Sequence, residues 1–223
     1  MKIDITLTKN TTPVPFNYQK KLTGCVHTWI GKNNLEHGRP SFYSFSWLKN
    51  VKAVRQGLQL TPSSYVTLSF YELELTKQVV SGIMKHPNVF SGIKVKAVYL
   101  GDQPNFGTRE RFIVDSPVFI KRFIGEKKEK HYTYKDKESG MLLTETLKNK
   151  LRTKGLDDTG VQVEFDTSYS NPKSKVITYG PVRNKVSICP VYISGTPEQI
   201  AFAYQVGVGN STGIGFGALS HRL

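Results

Sequence analysis

The sequence predicts an α+β protein of two tandem ferredoxin-like units, each of the βαββαβ (RRM-like) type, followed by a carboxy-terminal glycine-rich loop. Three observations carry this expectation. The first half runs strand, helix, strand, strand, helix, strand by hydrophobic periodicity, and the second half admits the same order. The last helical run then leads into Gly207, Gly209, Gly213, Gly215 and Gly217, five glycines in eleven residues.

In the first unit, Ile3, Ile5 and Leu7 alternate as on a half-buried strand, and Leu22, Val26 and Ile30 recur at helical spacing after Pro13 and Pro15. The aromatic-rich run from Ser41 to Leu48 reads as the second strand, and Val66, Leu68 and Phe70 line one face of the third. Leu75, Val79 and Ile83 mark a helix stopped near Pro87, and Val89 to Leu100 returns as strand.

In the second unit, Phe112 to Phe123 is strand-like, and Leu143, Leu147 and Leu151 define a helix ended by Gly155. Val161, Val163 and Phe165 alternate, and Val176 to Ile193 supplies two β-rich segments around Gly180-Pro181. Thr196-Pro-Glu-Gln199 has the capping-box form with Pro at the first helical position, which places the final helix at about Pro197 to Val206. The expected division is 1–115 and 116–223, with the join near Asp115-Ser116-Pro117. It rests on element order, since no internal sequence repeat is evident.

A formal charge of +14 over 223 residues favours a polyanionic partner, because each phosphate neutralised releases condensed counterions. No apolar run approaches the length of a membrane span, and the first eight residues alternate like a strand rather than reading as a signal peptide. A soluble, cytoplasmic protein without a membrane partner is expected. Cys25 and Cys189 suit buried free thiols better than a disulfide framework, and the five histidines show no zinc-type spacing. No metal site or cofactor is expected.

The glycine-rich stretch supports two readings. Glycines allow close backbone approach and converging amides, a cradle for an anion such as phosphate; equally, they permit a tight turn packed against a sheet edge. It is neither a Walker loop, which needs Lys and Ser or Thr after the last glycine, nor a dinucleotide fingerprint, which needs a strand afterwards.

The spacing Gly-x-Gly-x-x-x-Gly-x-Gly-Phe-Gly after a helix, in a basic chain of two ferredoxin-like halves, resembles the CRISPR-associated repeat-processing endoribonucleases, the Cas six family of the RAMP superfamily. Val14-Pro-Phe-Asn-Tyr-Gln19, Leu35-Glu-His37 and Phe42-Tyr-Ser-Phe-Ser46 are similar to that family's first helix, the histidine after it and its second strand. Val114-Asp-Ser-Pro117 is similar to the step that opens the second domain. The resemblance implies metal-independent cutting of CRISPR repeat RNA within a longer precursor, with the product able to stay bound as guide RNA, and other CRISPR interference-complex subunits as further partners. A non-catalytic RNA-binding subunit of such a complex is the alternative reading. Monomer and homodimer both remain open.

Metal-free RNA cleavage needs a base for the 2′-hydroxyl and an acid for the departing 5′-oxygen, and imidazole suits both tasks near neutrality. His37 lies in a polar segment bounded by Gly and Pro, and the resemblance makes it the leading catalytic candidate. His27, on the preceding helix beside the apolar stripe, is its candidate partner. The family often adds a lysine at the start of the next strand. Here Ser41 stands there, with Arg39 and Lys32 nearby, so Arg39 and Ser41 complete the catalytic candidates; Tyr18 and Tyr43 read first as structural residues, with a contribution to the site as the alternative.

Candidate RNA contacts are Lys32 and the basic run Lys121, Arg122, Lys127, Lys128 and Lys130, interleaved with aromatic rings. A second group is Arg183 and Lys185 beside Gly180-Pro181. The glycine-rich stretch adds Gly207, Gly209, Asn210, Ser211, Gly213, Gly215 and Gly217.

Overall fold

The computed structural model describes residues 1–31, 40–125 and 128–221. In the first unit β1 (Lys2–Leu7), α1 (Gln19–Ile30), β2 (Tyr43–Phe45), β3 (Lys49–Val54), β4 (Gly57–Phe70), α2 (Leu73–Lys85) and β5 (Val95–Gly101) follow in order. The sheet order is β2-β4-β1-β5, with β3 also paired to β4, all antiparallel where paired. This is the ferredoxin-like arrangement. The alternating residues bury as their period requires: Ile3 and Ile5, with Val66, Leu68 and Phe70, are sealed under Leu22, Val26, Ile30 and Val79. The expected strand over Ser41 to Leu48 is shortened to Tyr43–Phe45: the Ser46 amide still donates to Thr67 O, but the Thr67 amide is taken by the Ser46 hydroxyl, and the Trp47 amide diverts to Asp115 O.

The second unit contains β6 (Arg109–Val114), β7 (Val118–Ile124), β8 (Lys128–Tyr132), α3 (Ser139–Thr153), β9 (Gln162–Phe165), β10 (Lys173–Tyr179), β11 (Val182–Ile188), β12 (Val191–Ser194), α4 (Pro197–Val206) and β13 (Leu219–Ser220). One sheet, β13-β6-β12-β9, with α3 and α4, repeats the ferredoxin-like order. The expected single strand from Phe112 to Phe123 is therefore two strands, broken at Ser116-Pro117, and β6 pairs within the second set although it precedes Asp115. The hairpins β7–β8 and β10–β11 form a separate sheet, β10-β11-β7-β8. Thr196 caps α4 as expected: its hydroxyl accepts from the Gln199 amide while the Gln199 side chain accepts from the Thr196 amide.

The two units share a packed junction. Phe42 leaves the first unit to join the second core, with its ring 6.4 Å from that of Phe202. Ser44 Oγ donates to Gln205 O at 3.1 Å, and the Lys49 ammonium lies 2.8 Å from the Asp115 carboxylate. Lys154 pairs with Glu72. Among the described residues, no helix is long and apolar enough to cross a membrane. Both cysteines are free thiols; Cys189 is buried and Cys25 half-buried, and burial pushes the pKa of each up to about 11.

Candidate active site

The glycine-rich stretch leaves the end of α4 and folds back under the first unit, with Thr212–Ile214 forming a single 3-10 turn. Its backbone is recognised by side chains from α1, β2 and the residues after β2. His27 Nε2 lies 3.2 Å from Gly213 O, Tyr43 OH donates to the same oxygen at 3.2 Å, and the two side-chain atoms are 3.2 Å apart. A carbonyl cannot donate, so in its contact with Gly213 the imidazole carries its hydrogen on Nε2. Thr23 Oγ1 reaches Ile214 O at 3.3 Å, and the Trp47 indole donates to Gly215 O at 2.8 Å.

Two glycines show why side chains are excluded here. A Cβ on Gly213 would overlap Ser41 Oγ, with Ser41 Cβ at 2.9 Å and Tyr43 OH at 3.1 Å. One on Gly217 would overlap Val208 O, and its φ of +64° is in the left-handed region. All five glycines are buried. The amides of Gly207, Gly215 and Gly217 are already spent on Ala203 O, Thr212 O and Pro117 O, at 2.8, 3.2 and 2.8 Å. Of the two sequence readings, tight packing therefore accounts for these three, and an open cradle of five glycine amides does not form. Asn210 likewise knits the stretch to β7, its amide donating to Phe119 O and its side-chain oxygen accepting from the Lys121 amide. Ser211, half-buried with φ +62°, precedes the 3-10 turn.

Of the catalytic candidates, His27 and Ser41 meet at Gly213, from chain positions far apart. Lys32, His37 and Arg39 lie outside the described residues, as does Lys127. Tyr18 is structural: its buried hydroxyl accepts from the Leu48 amide at 3.0 Å, and burial raises its pKa far above the ordinary phenol value. Tyr43, by contrast, is part of the cluster. Sequence reasoning missed Trp47 and Thr23, whose only signal was their position on the elements flanking the histidine segment.

The basic candidates divide over the two faces of the hairpin sheet. In β7, Phe119 and Lys121 point to the side where Phe119 packs on Phe216. Lys121 Nζ is paired there with Glu129 at 2.9 Å, and Glu129 also binds His131 at 2.7 Å; Lys121 first and His131 next hold that carboxyl below its ordinary range. Lys128 and Lys130 stand opposite Ile124 and Arg122 on the other face, which Arg183 and Lys185 share through the pairing of Val186 with Phe119. All four are exposed. Arg122 is used up internally, because its guanidinium donates to Leu142 O at 2.9 Å, Glu145 at 2.8 Å and Thr146 Oγ1 at 3.2 Å and so ties β7 to α3. Among the described residues, no group of three His, Cys, Asp or Glu side chains converges as a metal site would require.

Comparison with known proteins agrees with this architecture. A solved structure described as a Cas6-related gene product from Pyrococcus furiosus matches with TM-score 0.84 at 20% identity, over 99% of this chain and 97% of that one. An RAMP protein described as binding different RNA substrates matches with TM-score 0.84 at 19% identity, over the whole of both chains. A Cas6 product complex matches with TM-score 0.67 at 11% identity, over 98% of each chain. These likenesses establish a shared tandem ferredoxin-like fold. A sequence comparison with curated proteins gives no match. The family model "CRISPR associated protein Cas6, C-terminal" matches residues 101–221, more than half of the sequence. The chain belongs to the CRISPR associated protein Cas6 family.

Proposed function

We propose that this protein is a metal-independent endoribonuclease that cuts CRISPR precursor RNA within the repeat. The observation that carries the reading is the meeting of His27, Tyr43 and Ser41 at Gly213. Family membership and the product complex of a structural relative support the same reading.

The reaction is an internal transesterification. A base removes the 2′-hydroxyl proton, the 2′-oxygen attacks the adjacent phosphorus, and the phosphorane expels the 5′-oxygen, which takes a proton from the acid. The products are a 2′,3′-cyclic phosphate and a 5′-hydroxyl. His27 and His37 divide the acid and base duties, while Tyr43 orients the His27 ring against Gly213 and Arg39 offers a charge for the phosphorane. The exposed face with Lys128, Lys130, Arg183 and Lys185 holds the RNA backbone. An RNA with a 2′-deoxy sugar just upstream of the scissile phosphate should bind and stay intact in chelator, while the all-ribo RNA is cut; efficient cutting of the deoxy substrate would refute the mechanism.

A second reading, a non-catalytic RNA-binding subunit, is favoured by one observation: Ser41 stands where a catalytic lysine is common in the family. Absence of cleavage by the unaltered protein, with repeat RNA still bound, would decide for it.

A further inference from the structure

The mechanism leaves one titratable group of the junction unused. Lys150 lies on α3, and its ammonium is fully enclosed. Nζ donates to Val206 O at 3.0 Å, Gly207 O at 3.5 Å and Thr212 Oγ1 at 3.0 Å. The first two acceptors close the carboxy-terminal end of α4, where carbonyls have no partner within the helix. The third opens the 3-10 turn that presents Gly213 and Ile214 to His27, Tyr43 and Thr23. One ammonium therefore joins the point where the glycine-rich stretch begins to the point where it is read by the candidate catalytic side chains.

A buried cation without a carboxylate partner is costly, and an apolar side chain of the same length would avoid that cost. What the ammonium supplies is three donors in one small group, matched to three oxygens, each bond strengthened by the charge. A neutral amine keeps two donors and loses that strengthening.

We infer that Lys150 is a positioning residue for the candidate active site: its ammonium clasps the start of the glycine-rich stretch to the turn at its middle, and release of its proton loosens the stretch around Gly213.

Burial alone lowers the pKa of this lysine to about 7, so the switch falls within the working range of an imidazole-based enzyme. The stretch itself carries no ionisable side chain from Gly207 to Gly217, and α4 carries Glu198 in its first turn and Tyr204. On α3 and just past its end the flanking charges are Glu145, Lys148, Arg152 and Lys154; Glu145 faces Arg122, Arg152 pairs with Asp158 and Lys154 pairs with Glu72. Across the stretch stand His27 and Tyr43.

The consequence for RNA rests on the function proposed above, but the clasp is testable without RNA. Trp47 donates to Gly215 O, and the second tryptophan, Trp29, donates to His86 O elsewhere in the first unit. In a Trp29→Phe background, Trp47 emission reports the stretch alone. Titration from pH 6 to 9 should shift that emission to longer wavelength in one transition with its midpoint near 7. Lys150→Met should abolish the transition, and Thr212→Val, which removes one acceptor of the ammonium, should move the midpoint lower. The same comparison in His27→Asn separates the lysine from the histidine. A transition that persists in Lys150→Met, or a midpoint unmoved in Thr212→Val, overturns the inference; if Lys150→Met does not fold, Thr212→Val decides. An emission transition that behaves as stated in a protein that cuts no RNA would refute the proposed function and leave the clasp standing.

Discussion

His27 and Tyr43 converge on a single acceptor, the carbonyl of Gly213, with imidazole nitrogen and phenol oxygen each 3.2 Å from it. The first belongs to α1 and the second to β2, so the contact locks the first unit to the end of the second. The geometry orients an imidazole on a rigid backbone oxygen, which a base or acid needs if it is to meet a phosphate repeatedly in one pose.

Replacing His27 by Ala should lower single-turnover cleavage by about 10² to 10⁴, the usual worth of one positioned acid or base, with repeat-RNA affinity nearly unchanged. Tyr43→Phe removes one hydrogen bond to Gly213 and should cost about 0.5–1.5 kcal/mol of stability, with a smaller fall in rate. Equal rates for His27→Ala and the parent, measured in chelator, would remove His27 from the mechanism.

Gly213→Ala should destabilise the protein by about 1–3 kcal/mol in urea unfolding, because the new methyl group meets Ser41 and Tyr43 in a packed junction. Gly24→Ala is the opposite case. Gly24 is exposed in α1 and a Cβ there meets nothing within 4 Å, so that substitution should add about 0.5–1 kcal/mol.

Charge replacements should sort by face. Alanine at Lys128, Lys130, Arg183 or Lys185 should weaken RNA binding and reduce the slope of log affinity against log salt by roughly 1 for each phosphate no longer neutralised, with little change in unfolding. Arg122→Ala should act the other way, lowering stability by removing the bonds to Leu142, Glu145 and Thr146 and changing the salt slope little. Titrations of binding at several salt concentrations, paired with thermal melts, separate the two classes.

Stability should rise with pH from about 7 towards 10.5, since over that interval an unfolded chain keeps the Lys150 proton that the folded one has released. Lys150→Met should flatten this rise. On the acid side, Asp166 is held below its ordinary range first by the Ser168 hydroxyl and then by Arg111. The stability it contributes is present above the ordinary carboxylate value and is lost as pH falls through the lowered one. Asp166→Asn should weaken that acid dependence in urea midpoints measured between about pH 2 and 6.

Local regularities were legible because their causes are local. The alternation of Ile3, Ile5 and Leu7, the stripe Leu22, Val26 and Ile30, and the capping box at Thr196 each depend on neighbours two to four residues away, and each formed as expected. The net charge of +14 was equally plain in the sequence, as was the run of glycines. What only the tertiary structure decided is the use of those residues. His27 meets Gly213 across 186 positions and Lys150 meets Thr212 across 62, and no periodicity encodes such pairs. Arg122 and Lys130 look alike in sequence, yet directly opposed on neighbouring strands one ties down a helix and the other stays exposed. The physical reason is that periodicity sets which face a side chain occupies, whereas the packing of one unit against the other sets what that face meets.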